Sequence, residues 1–465
     1  MRSHTFRMLM IAWLFIGISC ASRYGALENY KNTLTLNETK GLRKSSNRTV
    51  ILFLIDGLPV STLQSQFDQK RLKHIKNYFL GSKDKFSIAR SAFPSITFPS
   101  IASLLTEQTI DQHGVYGNKI FSRGENYDFE SPNDFSQLNA MVQGKNIFSR
   151  LTSKNQTSVS FSYTFNQDAT AHIDGLDFKS GLAVQTQDYS YVDLKLIDSL
   201  GIFLEGTNPS MWPDFIYVHL VGVDLLSHQN GPKSNSVISH LQLLDQKLNK
   251  VFKILNKAEV RTRKKVVTLL TADHGFDRRI YKRIDLISIL PPDLTKTSNV
   301  LNESRFASFH FPVMWTSEQK MQYAMKLRSN PILDIIAYRD GQKLELISRG
   351  LKTQIFYGPS ICAESSFSIS VGTDSVNKVC PEQIPFSQNQ IFYPYFTTNI
   401  AHYFQTVDHP DIVIIPQPGV SFNFKEKGQH GGPTTEELFV PLLIHNGQIS
   451  DSNSIIPLSD VLKFL

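Results

Sequence analysis

The sequence predicts an α/β fold, a mostly parallel central sheet flanked by helices on both faces, with an α+β insertion. Two short apolar runs, residues 215–221 and 265–271, indicate buried strands because they are rich in β-branched and aromatic side chains. Between them, apolar residues recur with 4-3-4-3-4 spacing over 236–259, which predicts an amphipathic helix. The order strand, helix, strand is typical of a parallel βαβ unit. The apolar run at 49–55 predicts another strand of the same sheet.

Shorter elements divide the chain into a core and an insertion. The expected elements are a helix at 101–105, strands at 157–165, 335–338, 344–347, 411–415 and 439–444, and a helix at 317–328. The strands at 411–415 and 439–444 are expected to return to the central sheet. Turn residues punctuate 276–426, so we expect core residues 48–275 and 427–465 to surround an α+β insertion at 276–426.

The composition is that of a folded globular protein. Of the 465 residues, 41% are hydrophobic and 19% are charged, unlike a disordered chain. The formal net charge of +7 comes from 48 Lys and Arg against 41 Asp and Glu, and the basic residues are dispersed. We therefore expect no nucleic-acid partner. Composition leaves the oligomeric state open.

The N-terminus has the pattern of an export signal. Arg2 and Arg7 provide a positive start, and residues 8–18 form an apolar stretch too short to span a bilayer comfortably. Small residues follow, so we expect a signal peptide at 1–22 and a polar tether at 23–47. The mature protein is therefore expected in the periplasm or outside the cell.

The three cysteines fit an exported protein. Cys20 lies where bacterial lipoproteins carry their lipidated residue, which would give a membrane tether, although Gly17 departs from the usual lipoprotein pattern. Cys362 and Cys380 form a disulfide in one interpretation and are two unpaired buried thiols in the other.

Seven polar residues carry the chemical signal of the chain. They are Asp56, Thr97, Asp224, His228, Asp273, His274 and His430. Most of them end an apolar run or lie in a Gly/Pro-rich turn just after one. In open α/β sheets the ligand site lies beyond the carboxyl ends of the strands, so these side chains can converge there. Carboxylates and imidazoles without thiolate suit Zn²⁺, with Mn²⁺ as second choice. The hypothesis is a two-metal phosphoryl-transfer site.

Local spacing is compatible with this convergence. Asp224 and His228 are four residues apart, so both side chains point the same way if the segment is helical. Asp273 and His274 are adjacent and would face apart on a regular strand. They therefore require the strand to have ended, and Gly275 permits such a turn.

Six motifs in order resemble one known family. They lie at residues 55–57, 93–100, 113–118, 224–228, 271–275 and 428–431. Together they resemble the alkaline phosphatase superfamily, most closely its type I phosphodiesterase/nucleotide pyrophosphatase family. The resemblance covers about 50–275 and 405–465 and implies the alkaline-phosphatase-like fold.

The resemblance implies two metal sites and a nucleophile. One ion would be held by Asp56, Asp273, His274 and the Thr97 hydroxyl, and the other by Asp224, His228 and His430. Thr97 would attack phosphorus and form a phospho-threonine intermediate. Coordination to a metal would lower the pKa of its hydroxyl, and its β-branch restricts χ1. Asn118 would donate to a phosphate oxygen, while Phe98 either lines the pocket wall or belongs to the core.

The resemblance also limits the substrate. The sulfatase motif is absent from 93–100, and Asn118 stands where alkaline phosphatases proper place an Arg, which favours a diester monoanion over a monoester. The expected substrate is a small-molecule phosphodiester or pyrophosphate. Residues 163–168 depart from the Trp-Pro-Gly-type segment of nucleotide-specific relatives, so phospholipid headgroups, glycerophosphodiesters and an envelope polymer stay open as leaving groups. The alternatives are a phosphomonoesterase and a catalytically silent binding protein on the same fold.

Overall fold

A computed structural model describes most of the chain after the N-terminal region. The described residues are 47–81, 86–131, 134–162, 164–173, 189–262, 264–277, 280–311, 315–340, 343–348, 351–358, 366–371, 376–379, 393–423, 425–447 and 455–464. The expected signal peptide, the lipid-anchor position Cys20 and the pair Cys362 and Cys380 lie outside these ranges. None of the helices in the described ranges combines the length and apolar character needed to cross a bilayer.

The described strands form two large sheets and two short pairs. The strands are β1 Arg48–Ile55, β2 Ser87–Arg90, β3 Lys119–Ser122, β4 Glu125–Asp128, β5 Ser158–Phe161, β6 Ala171–His172, β7 Phe215–Leu220, β8 Lys265–Thr271, β9 Lys282–Arg283, β10 Asn299–Asn302, β11 Ala307–His310, β12 Leu333–Asp340, β13 Lys343–Ser348, β14 Leu351–Gly358, β15 Ser366–Val371, β16 Val376–Val379, β17 Ile412–Pro416, β18 Val420–Ser421, β19 Phe439–His445 and β20 Ile456–Pro457.

Along the chain, most of the helices lie between strands that belong to the first sheet. They are α1 Val60–Asp68, α2 Lys73–Phe79, α3 Thr97–Thr106, α4 Ile110–His113, α5 Phe135–Met141, α6 Ile147–Ser153, α7 Tyr189–Gly206, α8 Gly222–Asn230, α9 Asn235–Thr262, α10 Leu286–Ile289, α11 Pro292–Thr297, α12 Ser317–Arg328, α13 Phe396–Gln405, α14 Thr435–Leu438 and α15 Leu458–Val461. The predicted helix at 236–259 is α9, whose regularly spaced apolar residues are buried. The helix expected at 101–105 begins four residues earlier, at Thr97.

The first sheet has eight strands in the order β20-β2-β19-β8-β1-β7-β5-β6. β1 pairs in parallel with both β7 and β8, so Ile51 lies opposite Ile216 on one side and Thr268 on the other. Residues 49–55 of β1 are all buried, as expected for a parallel strand covered on both faces. Within the described residues, β19 is the one strand of this sheet that runs antiparallel, between β8 and β2. The predicted α/β fold with a mostly parallel central sheet is confirmed.

The second sheet is antiparallel and has the strand order β10-β11-β17-β12-β13-β14-β15-β16. The side chains of its strand β12 show which apolar cluster each face of the sheet contacts. Ile335 and Ala337 belong to the large core that contains the first sheet, whereas Ile336 and Tyr338 belong to a smaller apolar cluster. Because side chains alternate along a strand, one face of this sheet covers the core domain and the other has its own small core.

The prediction that 411–415 returns to the central sheet is wrong. The strand in this segment, β17, pairs with β11 and β12 in the second sheet. Its apolar residues are buried on both faces, so hydrophobicity alone does not distinguish one sheet from the other. The strand expected at 439–444 is β19, which does lie in the central sheet beside β8. The domain boundaries at 275–276 and 426–427 stay a prediction.

Candidate metal centre

The fold brings the seven polar residues to one edge of the first sheet. Asp56 follows β1 directly, Asp224 and His228 lie in α8 after β7, and Asp273 and His274 follow β8. Thr97 begins α3 after β2. His430 precedes β19, which runs in the opposite direction and therefore begins at the edge where the parallel strands end. The seven residues thus approach from the carboxyl ends of four strands and the amino end of a fifth.

The first group of side chains surrounds His274. Its Nε2 lies 3.4 Å from Asp56 Oδ1 and 3.4 Å from Asp273 Oδ2. The same nitrogen lies 3.2 Å from Thr97 Oγ1. Ligand atoms of Asp56, Asp273 and His274 lie within 4.8 Å of one another, a spacing that can hold a metal ion. The structure therefore brings together the four residues expected at one ion.

The second group lies beside the first. His228 Nε2 is 3.0 Å from His430 Nε2, and Asp224 Oδ1 is 3.5 Å and 3.6 Å from these two nitrogens. Asp224 Oδ1 is also 4.0 Å from His274 Nε2, so the two groups adjoin. Asp224, His274 and His430 form a second triad within 4.8 Å, which makes His274 a neighbour of both positions.

Unsatisfied oxygens at the centre fit a cation. Asp56 Oδ1, Asp224 Oδ1 and Asp273 Oδ2 are buried, and none has a hydrogen-bond donor among the described residues. An unpaired buried carboxylate oxygen is costly. Burial and the nearby Asp273 and Asp224 raise the pKa of Asp56 well above its ordinary value. A bound divalent ion would satisfy all three oxygens, so this donor set fits the metals expected from the sequence.

The three histidines are oriented as metal ligands. The Nδ1 atoms of His274, His430 and His228 lie 3.1, 3.0 and 3.2 Å from the carbonyl oxygens of Gly275, Ser95 and Gly428. A neutral imidazole that donates through Nδ1 leaves the lone pair of Nε2 facing the centre. Burial and the neighbouring His274 and His228 lower the pKa of His430 well below its ordinary value, which keeps that ring neutral.

His228 has a different electrostatic environment. Burial lowers the pKa of its imidazole, but Asp224 and Glu426 outweigh burial and raise the pKa to about 9. Glu426 Oε2 lies 3.2 Å from His228 Nδ1, on the side away from His430. Glu426 was not among the predicted site residues, because it lies in a polar segment without a strand before it.

Comparison with known proteins assigns the family. A family model described as type I phosphodiesterase / nucleotide pyrophosphatase matches residues 50–438. The chain belongs to this family. The resemblance inferred from the six motifs is therefore confirmed.

Two curated relatives carry the name ectonucleotide pyrophosphatase/phosphodiesterase family member 3. The protein of Rattus norvegicus is 24% identical over 257 residues, which are 53% of this chain and 27% of the relative. The protein of Bos taurus is 24% identical over 245 residues, 51% of this chain and 26% of the relative. The chain thus matches only about a quarter of the length of these relatives.

Solved structures share the fold at low sequence identity. Murine ectonucleotide pyrophosphatase / phosphodiesterase 5, inactive and in complex with AMP, has a TM-score of 0.56 at 14% identity and covers 90% of this chain and 93% of its own. Phosphonoacetate hydrolase from Sinorhizobium meliloti 1021, in complex with phosphonoformate, has a TM-score of 0.58 at 14% identity. The match covers 90% of this chain and 95% of the hydrolase.

Both the oxygen and the nitrogen of the Asn118 side-chain amide form hydrogen bonds. Its Oδ1 accepts a hydrogen bond from Phe98 N at 3.1 Å, and its Nδ2 donates to Glu130 Oε1 at 2.9 Å. One N–H of the amide group is left over, because an NH₂ carries two donors. Phe98 is only 5% exposed and its ring packs on Phe129 and Phe165, so in this structure it lies in the core.

Three further histidines support segments that carry candidate site residues. His219 Nε2 donates to Asp56 Oδ2 at 2.9 Å, and burial lowers the pKa of His219 to about 4, so the ring is neutral. His240 Nε2 donates to Asp193 Oδ2 at 2.7 Å. His113 lies 2.9 Å from Ser103 Oγ through Nε2. Each of them supports a segment that carries a site residue.

The pair of Asp193 and His240 holds the turn before α8. The two carboxylate oxygens of Asp193 accept hydrogen bonds from Val221 N at 2.8 Å and Gly222 N at 3.0 Å. This fixes the start of the helix that carries Asp224. The sequence signal that could have identified these residues is an ionisable side chain on the apolar face of an amphipathic helix, where burial without a partner is rare.

Proposed function

We propose that this protein is an exported, di-zinc hydrolase that cleaves small-molecule phosphodiester or pyrophosphate bonds, with Thr97 as nucleophile. The observation that carries the proposal is the position of the Thr97 hydroxyl. Its Oγ1 lies 3.2 Å from His274 Nε2, next to buried carboxylate oxygens that have no donor among the described residues. A hydroxyl so placed belongs to the reaction centre rather than to a helix cap.

Each ion has a ligand set in the proposal. Asp56, Asp273, His274 and Thr97 would hold one ion, and Asp224, His228 and His430 the other. Zn²⁺ is preferred and Mn²⁺ is second, because the donors are oxygens and imidazole nitrogens without sulfur. Bound divalent ions lower the pKa of a hydroxyl or water and neutralise charge on phosphate oxygens.

The residues of the chain would act as follows. Thr97 Oγ1 loses its proton to solvent and forms a bond to phosphorus, while the bond from phosphorus to the leaving-group oxygen breaks and that oxygen takes up a proton from solvent. A water oxygen then forms a bond to phosphorus as the bond between Oγ1 and phosphorus breaks, and a proton from that water regenerates the hydroxyl. Thr97 is the first residue of α3, where the helix dipole favours the negative charge of the phosphoryl group. The remaining N–H of the Asn118 amide would donate to a phosphate oxygen.

The structural neighbours support a phosphorus-containing substrate. The murine neighbour is inactive as a threonine-to-alanine variant and is solved with AMP. The bacterial neighbour acts on phosphonoacetate and is solved with phosphonoformate. Glu130, whose Oε1 lies 2.9 Å from Asn118 Nδ2, disfavours a dianion at this position by repulsion, so a diester is preferred to a monoester.

The substrate class is tested by turnover of three chromogenic compounds. We expect bis-p-nitrophenyl phosphate and p-nitrophenyl-TMP to be hydrolysed faster than p-nitrophenyl phosphate, and EDTA to abolish activity. Elemental analysis of the purified protein should give two zinc ions per chain. A preference for the monoester would make the protein a phosphomonoesterase, and two bound ions without any turnover would make it a binding protein.

The nucleophile is tested by substitution of Thr97. Thr97→Ala removes the attacking oxygen, so we expect kcat/KM to fall by at least about 10³-fold. Thr97→Ser keeps the oxygen but loses the χ1 restriction of the β-branch, so it should retain more activity than Thr97→Ala. Activity of Thr97→Ala close to that of the wild type would refute Thr97 as nucleophile, while the six carboxylate and imidazole ligands would stay as proposed.

A further inference from the structure

The described residues line an open cavity away from the metal centre. Its volume is about 580 Å³, within the range of small-molecule sites. It lies between the turn after β2, the second half of α3, α4, α13 and the start of α15. Ser103 on its wall is six residues after Thr97 in α3, which places it about 9 Å along the helix from the proposed nucleophile. A ligand here would occupy a separate site.

The cavity contains a buried donor without an acceptor. Asn399, on α13, is 8% exposed, and its Nδ2 has no hydrogen-bond partner among the described residues. Leaving a buried amide unpaired costs free energy that a fold without a use for it would avoid. Two other buried polar residues of this wall have partners. Ser91 Oγ lies 2.8 Å from Ser100 Oγ, and Ser103 Oγ lies 2.9 Å from His113 Nε2.

Each ionisable side chain of the wall lies beside a partner. The pairs are Asp111 with His402 at 2.9 Å, Asp460 with Lys463 at 2.7 Å and Glu107 with Arg150 at 2.7 Å, and Arg90 lies over the ring of Tyr395 at 4.0 Å. A charged ligand would have to break one of these pairs or remain uncompensated. The walls therefore favour an uncharged ligand.

Polar and apolar surfaces alternate around the cavity. Phe93, Ile110 and Leu458 provide buried apolar surface, and Asn399 provides a donor. One oxygen of Asp111 lies 2.9 Å from His402, and its second carboxylate oxygen is an acceptor. A ligand that matches both must carry hydroxyl groups, which donate and accept, and a carbon face that packs against apolar side chains. We propose that this cavity binds an uncharged, ring-shaped polyhydroxyl compound, such as a sugar or an inositol. This site is independent of the proposed hydrolase activity.

Binding can be tested with simple probes. Glucose and myo-inositol are titrated against the full chain by saturation-transfer NMR, with choline and acetate as charged comparators that also carry non-exchangeable protons. We expect saturable binding of at least one uncharged probe, and weaker or no binding of the charged ones at this cavity. In Asn399→Leu the affinity should fall at least about tenfold, because the hydroxyl loses its donor. Asn77→Leu, a matched change at an exposed position of α2, should bind as the wild type does.

The stability of Asn399→Leu separates a binding role from a structural one. If Asn399 is kept for a ligand, replacing its unpaired amide with an apolar group of similar size should raise the Tm of the ligand-free protein by about 1–3 °C. A lower Tm with unchanged probe affinity would overturn the proposal, as would the lack of saturable binding by either uncharged probe. Should Asn399→Leu fail to fold, Ser459→Leu narrows the cavity from the opposite wall and must lower the affinity.

Discussion

His219 shows how one buried side chain can set the geometry of a candidate metal ligand. It is fully buried in β7, and its Nε2–H donates to Asp56 Oδ2. The other oxygen of Asp56, Oδ1, is left to face the centre, 3.4 Å from His274 Nε2. Hydrogen bonds of this kind orient ligands, and their loss typically reduces metal affinity about 10–100-fold.

Substitution of His219 should therefore weaken metal binding. We expect His219→Phe to lower zinc affinity about 10–100-fold in a competition titration against a chromogenic chelator. His219→Gln keeps a donor and should retain more of the affinity. His172→Phe, at an exposed position of β6, is the matched control and should leave the affinity unchanged. If His219→Phe binds zinc as the wild type does, the orienting role is refuted whatever its activity.

Glu303 gives a pH-dependent contribution to stability. Burial, together with Glu130, raises its pKa to about 8, against the opposing effect of Lys119. Since this carboxyl holds its proton more tightly in the folded state, the unfolded state binds fewer protons between its ordinary pKa near 4.5 and pH 8. The stability that comes from the neutral form is thus complete below about pH 4.5 and is lost as the pH rises to 8.

Replacing Glu303 with Gln should remove this pH dependence. The neutral amide cannot ionise. The Tm of Glu303→Gln minus the Tm of the wild type should therefore increase from pH 5 to pH 8. The measurement is a series of thermal melts of both proteins in matched buffers. Glu125→Gln, at an exposed position of β4, serves as control and should show no such trend. A Tm difference that is constant over this range would contradict the raised pKa.

Sequence reasoning predicted the candidate ligands but not the residues that support them. Asp56, Asp273 and His274 could be predicted because each follows an apolar run, where an open α/β sheet places its site. His219 lies inside such a run, opposite Leu54 of β1, and a single buried histidine there is indistinguishable from a core residue in one sequence. Its partner Asp56 is 163 residues away, and only the pairing of β1 with β7 brings them together.

Among the elements, α8 depends on a tight contact at its first residue. A Cβ on Gly222 would lie 2.5 Å from His240 Nε2 and 2.7 Å from Asp193 Oδ2. These atoms belong to the pair that holds the turn before the helix. The space at the glycine is therefore needed to place Asp224 and His228, two and six residues further along the helix.

Two glycine substitutions test this dependence. Gly222→Ala should displace the turn, and we expect it to lower both the free energy of unfolding and the zinc content per chain. Gly201→Ala, inside α7, meets no atom within 4 Å and should instead raise the free energy of unfolding by about 0.5–1 kcal/mol. Denaturant titration and elemental analysis give both quantities. A Gly222→Ala protein with two zinc ions and full stability would show that the contact is unimportant.

Element type was more predictable than element partner. Local sequence alone predicts α9 from its apolar spacing. It also predicts the length of α12, which begins with a capping box at Thr316. The assignment of β17 to a sheet could not. Its apolar run resembles that of β1, and its pairing with β11 and β12 depends on residues about 75 to 105 positions away.

On the scale of the whole molecule, Arg305 joins the second sheet region to the metal centre. It is fully buried, and its guanidinium lies 3.0 Å from both Glu437 and Asp277. Glu437 in turn accepts a hydrogen bond from Gly432 N at 2.9 Å, two residues after His430. The loop that carries His430 is thus held by a cation contributed from between β10 and β11.

Removing this cation should destabilise the protein strongly. Arg305→Met leaves two carboxylates buried without their partner, which typically costs about 3–5 kcal/mol. Lys326→Met breaks an exposed ion pair with Asp293 and should change the free energy of unfolding by at most about 0.5 kcal/mol. Denaturant titration of both variants distinguishes the two cases. Equal, small effects would mean that the buried pairs contribute little.

The reversed direction of β19 has an evolutionary consequence. Since β8 ends and β19 begins at the same edge of the first sheet, the chain between them leaves and re-enters the core without crossing it. Lineages could therefore lengthen, shorten or exchange most of that intervening segment while the strand order, and with it the scaffold of the ion ligands, is inherited intact. The candidate ligands at the two ends of the segment, Asp273, His274 and His430, and the arginine anchor would have to be kept or replaced. Diversity of leaving groups could then evolve on a constant reaction centre.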